Sequence, residues 1–210
     1  MELADDIKLY LPQYLSEADL VSLKQQLRSF AKGYDIGQYF TDRLKCEPYL
    51  FQGDGVKALM CNLPNPQIEE APVLLLSNTC DMDIGNERIN PCRIMYAPIL
   101  NLEKYIKALQ ARGHEQAAID NHVKDIKSQV VSQILYLPTS AFWDHDSIVF
   151  FDRAISIPLS RDSINKCIQT RSFTLSNYGF YLLLLKLSYH FTRIQEKVDR
   201  SVNAEISKKI

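Results

Sequence analysis

Apolar positions along this chain recur with two different periods. Near the start, Ser16, Glu17 and Asp19 place a cap and two acids ahead of Leu20, Leu23, Leu27 and Phe30, which recur at helical spacing until Lys32-Gly33. A single apolar stripe predicts a helix lying on a larger body. From Phe40 the spacing tightens. Gly53-Asp54-Gly55 reads as a turn, residues 56–61 as a strand, and Asn62-Leu63-Pro64-Asn65-Pro66 as the loop that breaks it. Residues 72–77 form a continuous apolar run, which predicts a strand buried on both faces. A polar loop follows over 78–86, and residues 92–97 read as a strand that Pro98 ends.

The helical period returns at 101–133. Asn101 caps a helix carrying Leu102, Tyr105, Ile106 and Leu109, and Gly113 is its stop. A second helix carries Ile119, Val123, Ile126 and Val130, so the pair reads as a helical hairpin inserted between strands. Residues 134–138 and 147–157 return to strand character. On the second of these, Asp152 and Arg153 alternate faces, so one of them is expected to point inward. Thr174 or Ser176 opens a last helix with two apolar faces. Tyr178, Tyr181, Leu182, Leu185 and Tyr189 make one, and Phe180, Leu184, Leu187 and Phe191 the other. Such a helix is covered on two sides. The expected cover is a second copy, giving a homodimer with Leu184 and Leu187 nearest its seam; the alternative is the helix at 17–32 of the same chain.

These elements predict an α+β fold. Residues 1–39 are an N-terminal helical segment, 40–173 a body carrying the insert at 101–133, and 174–210 a C-terminal helix packed on that body. The composition, 46% hydrophobic and 23% charged, excludes disordered and fibrous classes. A net charge of −1 excludes a chain that wraps itself around nucleic acid. Five cysteines, at 46, 61, 80, 92 and 167, form no CxxC pair, which points to reduced thiols in a cytoplasm. The most apolar run, 180–191, is interrupted by Lys186 and falls short of the roughly 20 residues a membrane span needs. With no secretory signal visible, the expectation is a cytoplasmic protein without a membrane partner.

Candidate chemistry is sparse. Cys80-Asp81 follows the buried strand, but a thiol nucleophile needs a base beside it, and the histidines at 114, 122, 145 and 190 are distant in sequence. The plainer reading is a half-buried thiol with Asp81 bonding to loop backbone. Asn78, Thr79 and Asp83 in the same loop are candidate binding residues, together with Trp143 and His145. Asp81, Asp83, Asp144, His145 and Asp146 are a nonspecific set of metal donors, and the expectation is no metal and no cofactor. Trp143, with Phe142, Phe150 and Phe151, reads either as a stacking platform for bases or, more simply, as core. Between Cys46 and Leu100, Lys57, Arg88 and Arg93 stand against Glu47, Asp54, Glu69, Glu70, Asp81, Asp83 and Glu87, a balance of −4 that repels a phosphate backbone.

The order of the pieces resembles the PemK/MazF family. Gly53-Asp54 opens a strand, a proline-led apolar strand runs from Pro72 to Ser77-Asn78, and a strand from Ile94 ends in Pro98-Ile99. The stretch 146–157 resembles that family's closing strand, with Arg161 near its usual basic residue. The likeness covers about half the chain and leaves out both ends and the helical insert. It implies a small SH3-like β-barrel; the family's active members are toxins that cut RNA and pair with an antitoxin. The loop Ser77-Asn78-Thr79-Cys80-Asp81 also resembles a group of uncharacterised bacterial proteins marked by a Cys-Asp step. Two departures bear on activity. Residues 62–71 hold no Lys or Arg where the family's ribonucleases steady the scissile phosphate, and Leu100 stands where they carry Thr or Ser. Cleavage through the 2′-OH needs a base and a cation. The resemblance thus implies a catalytically degenerate binding or regulatory module of a bacterial toxin or phage-defence system, with a protein partner. The alternative is an endoribonuclease whose groups have moved, with RNA as partner and Arg88, Arg93, Arg153 or Arg161 as catalytic candidates beside Cys80 and Asp81.

Overall fold

Eight strands and four α-helices follow one another in the computed structural model, which describes residues 39–62, 66–86, 89 and 92–192. The helix predicted over 17–32, Arg88 and the tail from Arg193 lie outside the described residues. The strands are β1 (Phe40–Thr41), β2 (Gly55–Asn62), β3 (Gln67–Leu75), β4 (Arg93–Asn101), β5 (Ile134–Leu137), β6 (Ser147–Phe150), β7 (Ile155–Pro158) and β8 (Thr174–Leu175). The helices are α1 (Leu102–Ala111), α2 (Gln116–Lys127), α3 (Arg161–Gln169) and α4 (Asn177–Thr192). The fold is α+β, and among the described residues all strand pairs are antiparallel. The main sheet has the order β2-β3-β4-β6-β5 with β7 also on β4, and β1 pairs with β8. Among the described residues, no pairing joins the outer strands β2 and β5 into a closed barrel.

Period-two alternation assigns the side chains to three cores. Val56, Ala58, Met60, Val73, Leu75, Ile94 and Tyr96 face α3, which contributes Ile164 and Cys167. On the other face, Leu74, Ala97, Ile99, Leu135, Leu137 and Val149 meet Tyr178, Tyr181, Leu182 and Leu183 of α4. Ile134, Tyr136, Ile148 and Phe150 lie instead under the inserted hairpin, against Leu102 and Ile126. β5 and β6 are therefore buried on both faces, one towards α4 and one towards the hairpin.

The hairpin forms as its signals predict. Asn101 accepts a hydrogen bond from Lys104 N–H at 3.0 Å, and Gly113 has φ +81°. Val130, however, lies beyond α2 and is exposed. Between them Gln129 adopts φ +59°, a left-handed conformation usually given to glycine after a helix. Its buried amide explains the choice. Gln129 Nε2 donates to Tyr136 C=O at 2.7 Å and Oε1 accepts from Tyr136 N–H at 3.1 Å, so the side chain pairs with the free edge of β5 as a neighbouring strand would. Lys186 of α4, also buried, donates from Nζ to the carbonyls of Gln129 at 2.8 Å and Val131 at 2.5 Å.

Four expectations need correction. Pro98 does not end its strand: β4 runs to Asn101, and Pro98 lies where its edge passes from β7 (93–96) to β6 (99–101), so no partner is missed there. The run 72–77 is only the buried end of β3, whose first half is exposed and carries Glu69 and Glu70 on a strand instead of a loop. Residues 147–157 are two strands separated by a 3₁₀ turn, Phe151–Arg153, because β4 takes β6 and β7 in succession. Asp152 and Arg153 on that turn are both exposed, and the Arg153 guanidinium lies 4.2 Å over the Phe150 ring, so neither side chain points inward as expected. The last helix starts at Asn177, since Thr174 belongs to β8, and Ser176 Oγ accepts from Gly179 N–H. Helix α3 was not expected. Ser160 and Ser163 close it reciprocally, each hydroxyl accepting the other's backbone N–H at 3.1 Å.

Candidate functional site

Gly53-Asp54 is more than a turn. Gly53 has φ +90° and donates to Leu75 C=O, while Leu75 N–H donates back to Asp54 C=O, which fastens the turn to the end of β3. The Asp54 carboxylate is thereby carried into the interior, with a side-chain exposure of 0%. Its Oδ2 accepts from Phe51 N–H at 3.0 Å and faces Arg171 Nε at 2.9 Å. Burial pushes the Asp54 carboxyl up from its ordinary value, opposed by the Phe51 N–H and by the Arg171 guanidinium. Arg171 then spends its remaining donors on backbone. Nη1 reaches Leu44 C=O at 2.8 Å and Glu47 C=O at 3.2 Å, and Nη2 bonds to Tyr49 C=O. A segment with no strand partner of its own, 44–51, is held by one buried guanidinium.

That segment is one wall of a cleft. The other is the polar loop after β3, which is tied by its own side chains. Asn78 Oδ1 accepts from Cys80 N–H at 2.9 Å and opens the 3₁₀ turn Thr79–Asp81. Asp83 Oδ1 accepts from Gly85 N–H at 2.8 Å, and Asn86 Nδ2 donates to Cys80 C=O at 2.9 Å. Gln52 joins the walls: its N–H donates to Thr79 Oγ1 at 3.1 Å and its Nε2 to Leu76 C=O at 2.8 Å. The cleft between them has a volume of about 410 Å³ and is lined by Pro48, Tyr49, Leu50, Phe51, Thr79, Cys80, Met82, Asp83, Ile84, Asn86 and Ile164. None of these is basic or a histidine. Tyr49 stands at its rim, 57% exposed.

Of the candidates, Thr79, Cys80 and Asp83 come together here, and Asn78 supports them from outside the lining. Cys80 is an exposed free thiol with no histidine among the lining residues. Trp143 and His145 belong elsewhere. Trp143 packs edge-on against Phe173 at 5.1 Å and donates from Nε1 to Ser147 Oγ at 2.8 Å, a half-buried support of the core. His145 pairs through Nδ1 with Asp144 and lines a second cleft, of about 400 Å³, with Asn101, Lys127, Thr139 and Asp146. There, against the upward push of partial burial, the bonds from Lys127 (2.7 Å) and Thr139 N–H (3.0 Å) hold the Asp146 carboxyl below its ordinary value. Among the described residues no three of His, Cys, Asp and Glu converge as metal ligands.

The basic candidates are dispersed. Arg93 on β4 donates to Ser156 Oγ at 2.9 Å and to Ser156 C=O at 2.6 Å. Arg153 lies over Phe150, and Arg161 is the exposed first residue of α3. None lines either cleft. Sequence reasoning missed Arg171, the wall at 48–51 and Ile164. An arginine over a hundred positions from its carboxylate carries no local signal, whereas the Ser160–Ser163 box was available to place Ile164 on a helix. Leu184 and Leu187 are half-buried on α4. Among the described residues no helix is long and apolar enough to cross a membrane. No protein-family model matches the chain, and no curated protein matches it either.

Proposed function

We propose that this chain is a PemK/MazF-like module, built on that family's SH3-like barrel, which binds a segment of a protein partner in a toxin or phage-defence setting and does not cut RNA. The observation that carries the reading is the lining of the cleft between 48–51 and 79–86. Six of its side chains are Tyr, Leu, Phe, Met or Ile, and among the described residues its one carboxylate is Asp83 and no Lys or Arg lines it. An RNA backbone is gathered by Lys and Arg, and its cleavage needs a cation and a base at the reacting phosphate. A concave apolar surface with an aromatic rim suits an apolar side chain of a protein. The bacterial setting and the kind of partner come from the resemblance of residues 53–78, 94–99 and 146–157 to that family.

The test has two arms. Labelled single-stranded RNA incubated with the chain in EDTA is expected to stay intact. A random peptide library panned against the same protein is expected to yield peptides with an apolar anchor, whose binding drops at least tenfold in Ile84→Asp, with an unchanged melting temperature. Metal-free cleavage that disappears in Arg153→Ala or Arg161→Ala overturns the reading in favour of a relocated ribonuclease.

A further inference from the structure

The cleft between 48–51 and 79–86 is shaped before anything enters it. Arg171 fixes the first wall through the carbonyls of Leu44, Glu47 and Tyr49, the side-chain bonds of Asn78 and Asp83 tie the second, and Gln52 spans the two. An apolar lining grips any anchor of suitable size, so the polar groups facing a preformed cleft decide between occupants. Among the described lining residues only Asp83 is charged. Its Oδ1 accepts from Gly85 N–H at 2.8 Å, and among the described residues no donor or cation reaches Oδ2.

Seating an apolar side chain on Ile84, the next residue and itself half-buried, strips water from this carboxylate. Unmatched, that loss counts against the occupant. An acid on the occupant adds repulsion to it, and a cation offsets it. The facing wall supplies the second half of such a match. Tyr49 stands at the rim, 57% exposed, and among the described residues its ring packs against no other ring or cation. An open aromatic face across from a carboxylate suits a guanidinium, which stacks on the one and bonds to the other.

We propose that the segment docking here carries an arginine or lysine within about two residues of its apolar anchor, the spacing at which an extended chain sets two side chains on one face. The anchor enters between Leu50 and Ile84, and the cation lies between Asp83 and Tyr49. The proposal rests on the reading of this cleft as a docking site for a protein segment, and adds the charge of that segment. Asp83 turns acidic partners away.

Random peptides displayed on phage and panned against the full chain are expected to carry Arg or Lys beside their apolar residue. Resynthesised with Gln in that place, they should bind wild type about three- to fivefold more weakly than the parent peptides, and raised salt should weaken the parents alone. On Asp83→Asn, parent and Gln peptides are expected to bind alike. Asn keeps the oxygen that accepts from Gly85 N–H, so the melting temperature should not change. Panned afresh, Asp83→Lys is expected to select Asp or Glu instead. Suppose peptides are found that Ile84→Ala weakens. If they lack a basic residue, if its loss costs as much on Asp83→Asn as on wild type, or if Asp83→Lys still selects basic peptides, the inference is overturned and the docking site stands. Finding no peptide that Ile84→Ala weakens removes the docking site and the inference with it, as does a wild-type dimer that Ile84→Ala dissociates in light scattering.

Discussion

Lys186 places an ammonium in the interior with no carboxylate beside it among the described residues. The residue is 7% exposed, and its Nζ donates to the carbonyls of Gln129 and Val131. Burial lowers its pKa from 10.5 to about 8. The unfolded chain therefore binds a proton at this lysine between pH 8 and 10.5 that the folded chain gives up. The destabilisation is complete below pH 8 and fades as pH rises towards 10.5. A gap of that size corresponds to about 3 kcal/mol, of which roughly 2.5 kcal/mol is recovered between pH 7 and pH 10. Lys186→Met keeps the apolar stem and removes the titration. Urea unfolding of both proteins at several pH values, followed by the fluorescence of the single Trp143 on Phe173, reads the difference. Tyrosines and cysteines titrate in both proteins and cancel. Wild type is expected to gain about 2–3 kcal/mol on Lys186→Met between pH 7 and 10. Parallel curves, or a wild type that loses ground as pH rises, refute a charged, desolvated Lys186.

Gln129→Leu strips the β5 edge of both Tyr136 bonds, and a loss of about 2–4 kcal/mol by urea unfolding is expected, with faster amide exchange at Tyr136. Arg171→Met leaves the Asp54 carboxylate buried without its counter-charge, so a loss of about 3–5 kcal/mol is expected by the same method. An unchanged midpoint in Arg171→Met removes its role as the clamp on 44–51. Gly55→Ala places a Cβ 2.3 Å from the Phe173 ring, and the displaced ring should cost about 1–3 kcal/mol in thermal or urea unfolding.

The sequence exposed what depends on neighbours and hid what depends on distance. Asn101, Leu102 and Gly113 announce the inserted hairpin because capping and helical period are local. The break between Phe150 and Ile155 was illegible, since an unbroken apolar run records burial on both sides and says nothing of which strand lies beside it. Pro98 misled for the same reason: its missing N–H matters only where a partner requires it. At the cleft, the polar loop 78–86 stood out by composition. Its opposite wall, 48–51, owes its position to Arg171, and no pattern around Arg171 foretells the carbonyls it binds.

β4 has a consequence for how the chain comes apart. Ile94 and Tyr96 belong to the core under α3, Ala97 and Ile99 to the core under α4, and Leu100 and Leu102 lead into the core under the hairpin. Along its nine residues the strand pairs with β3 on one edge and with β7 and then β6 on the other. No core can be opened on its own without freeing backbone that the next one shares. The hairpin at 102–127, which resembles a detachable insertion, is therefore bound into the same cooperative unit as the cleft. Native-state hydrogen exchange should show the amides of β4 opening only with global unfolding, and a substitution under the hairpin such as Ile126→Ala should weaken the amides around Tyr96 as much as those around Ile148.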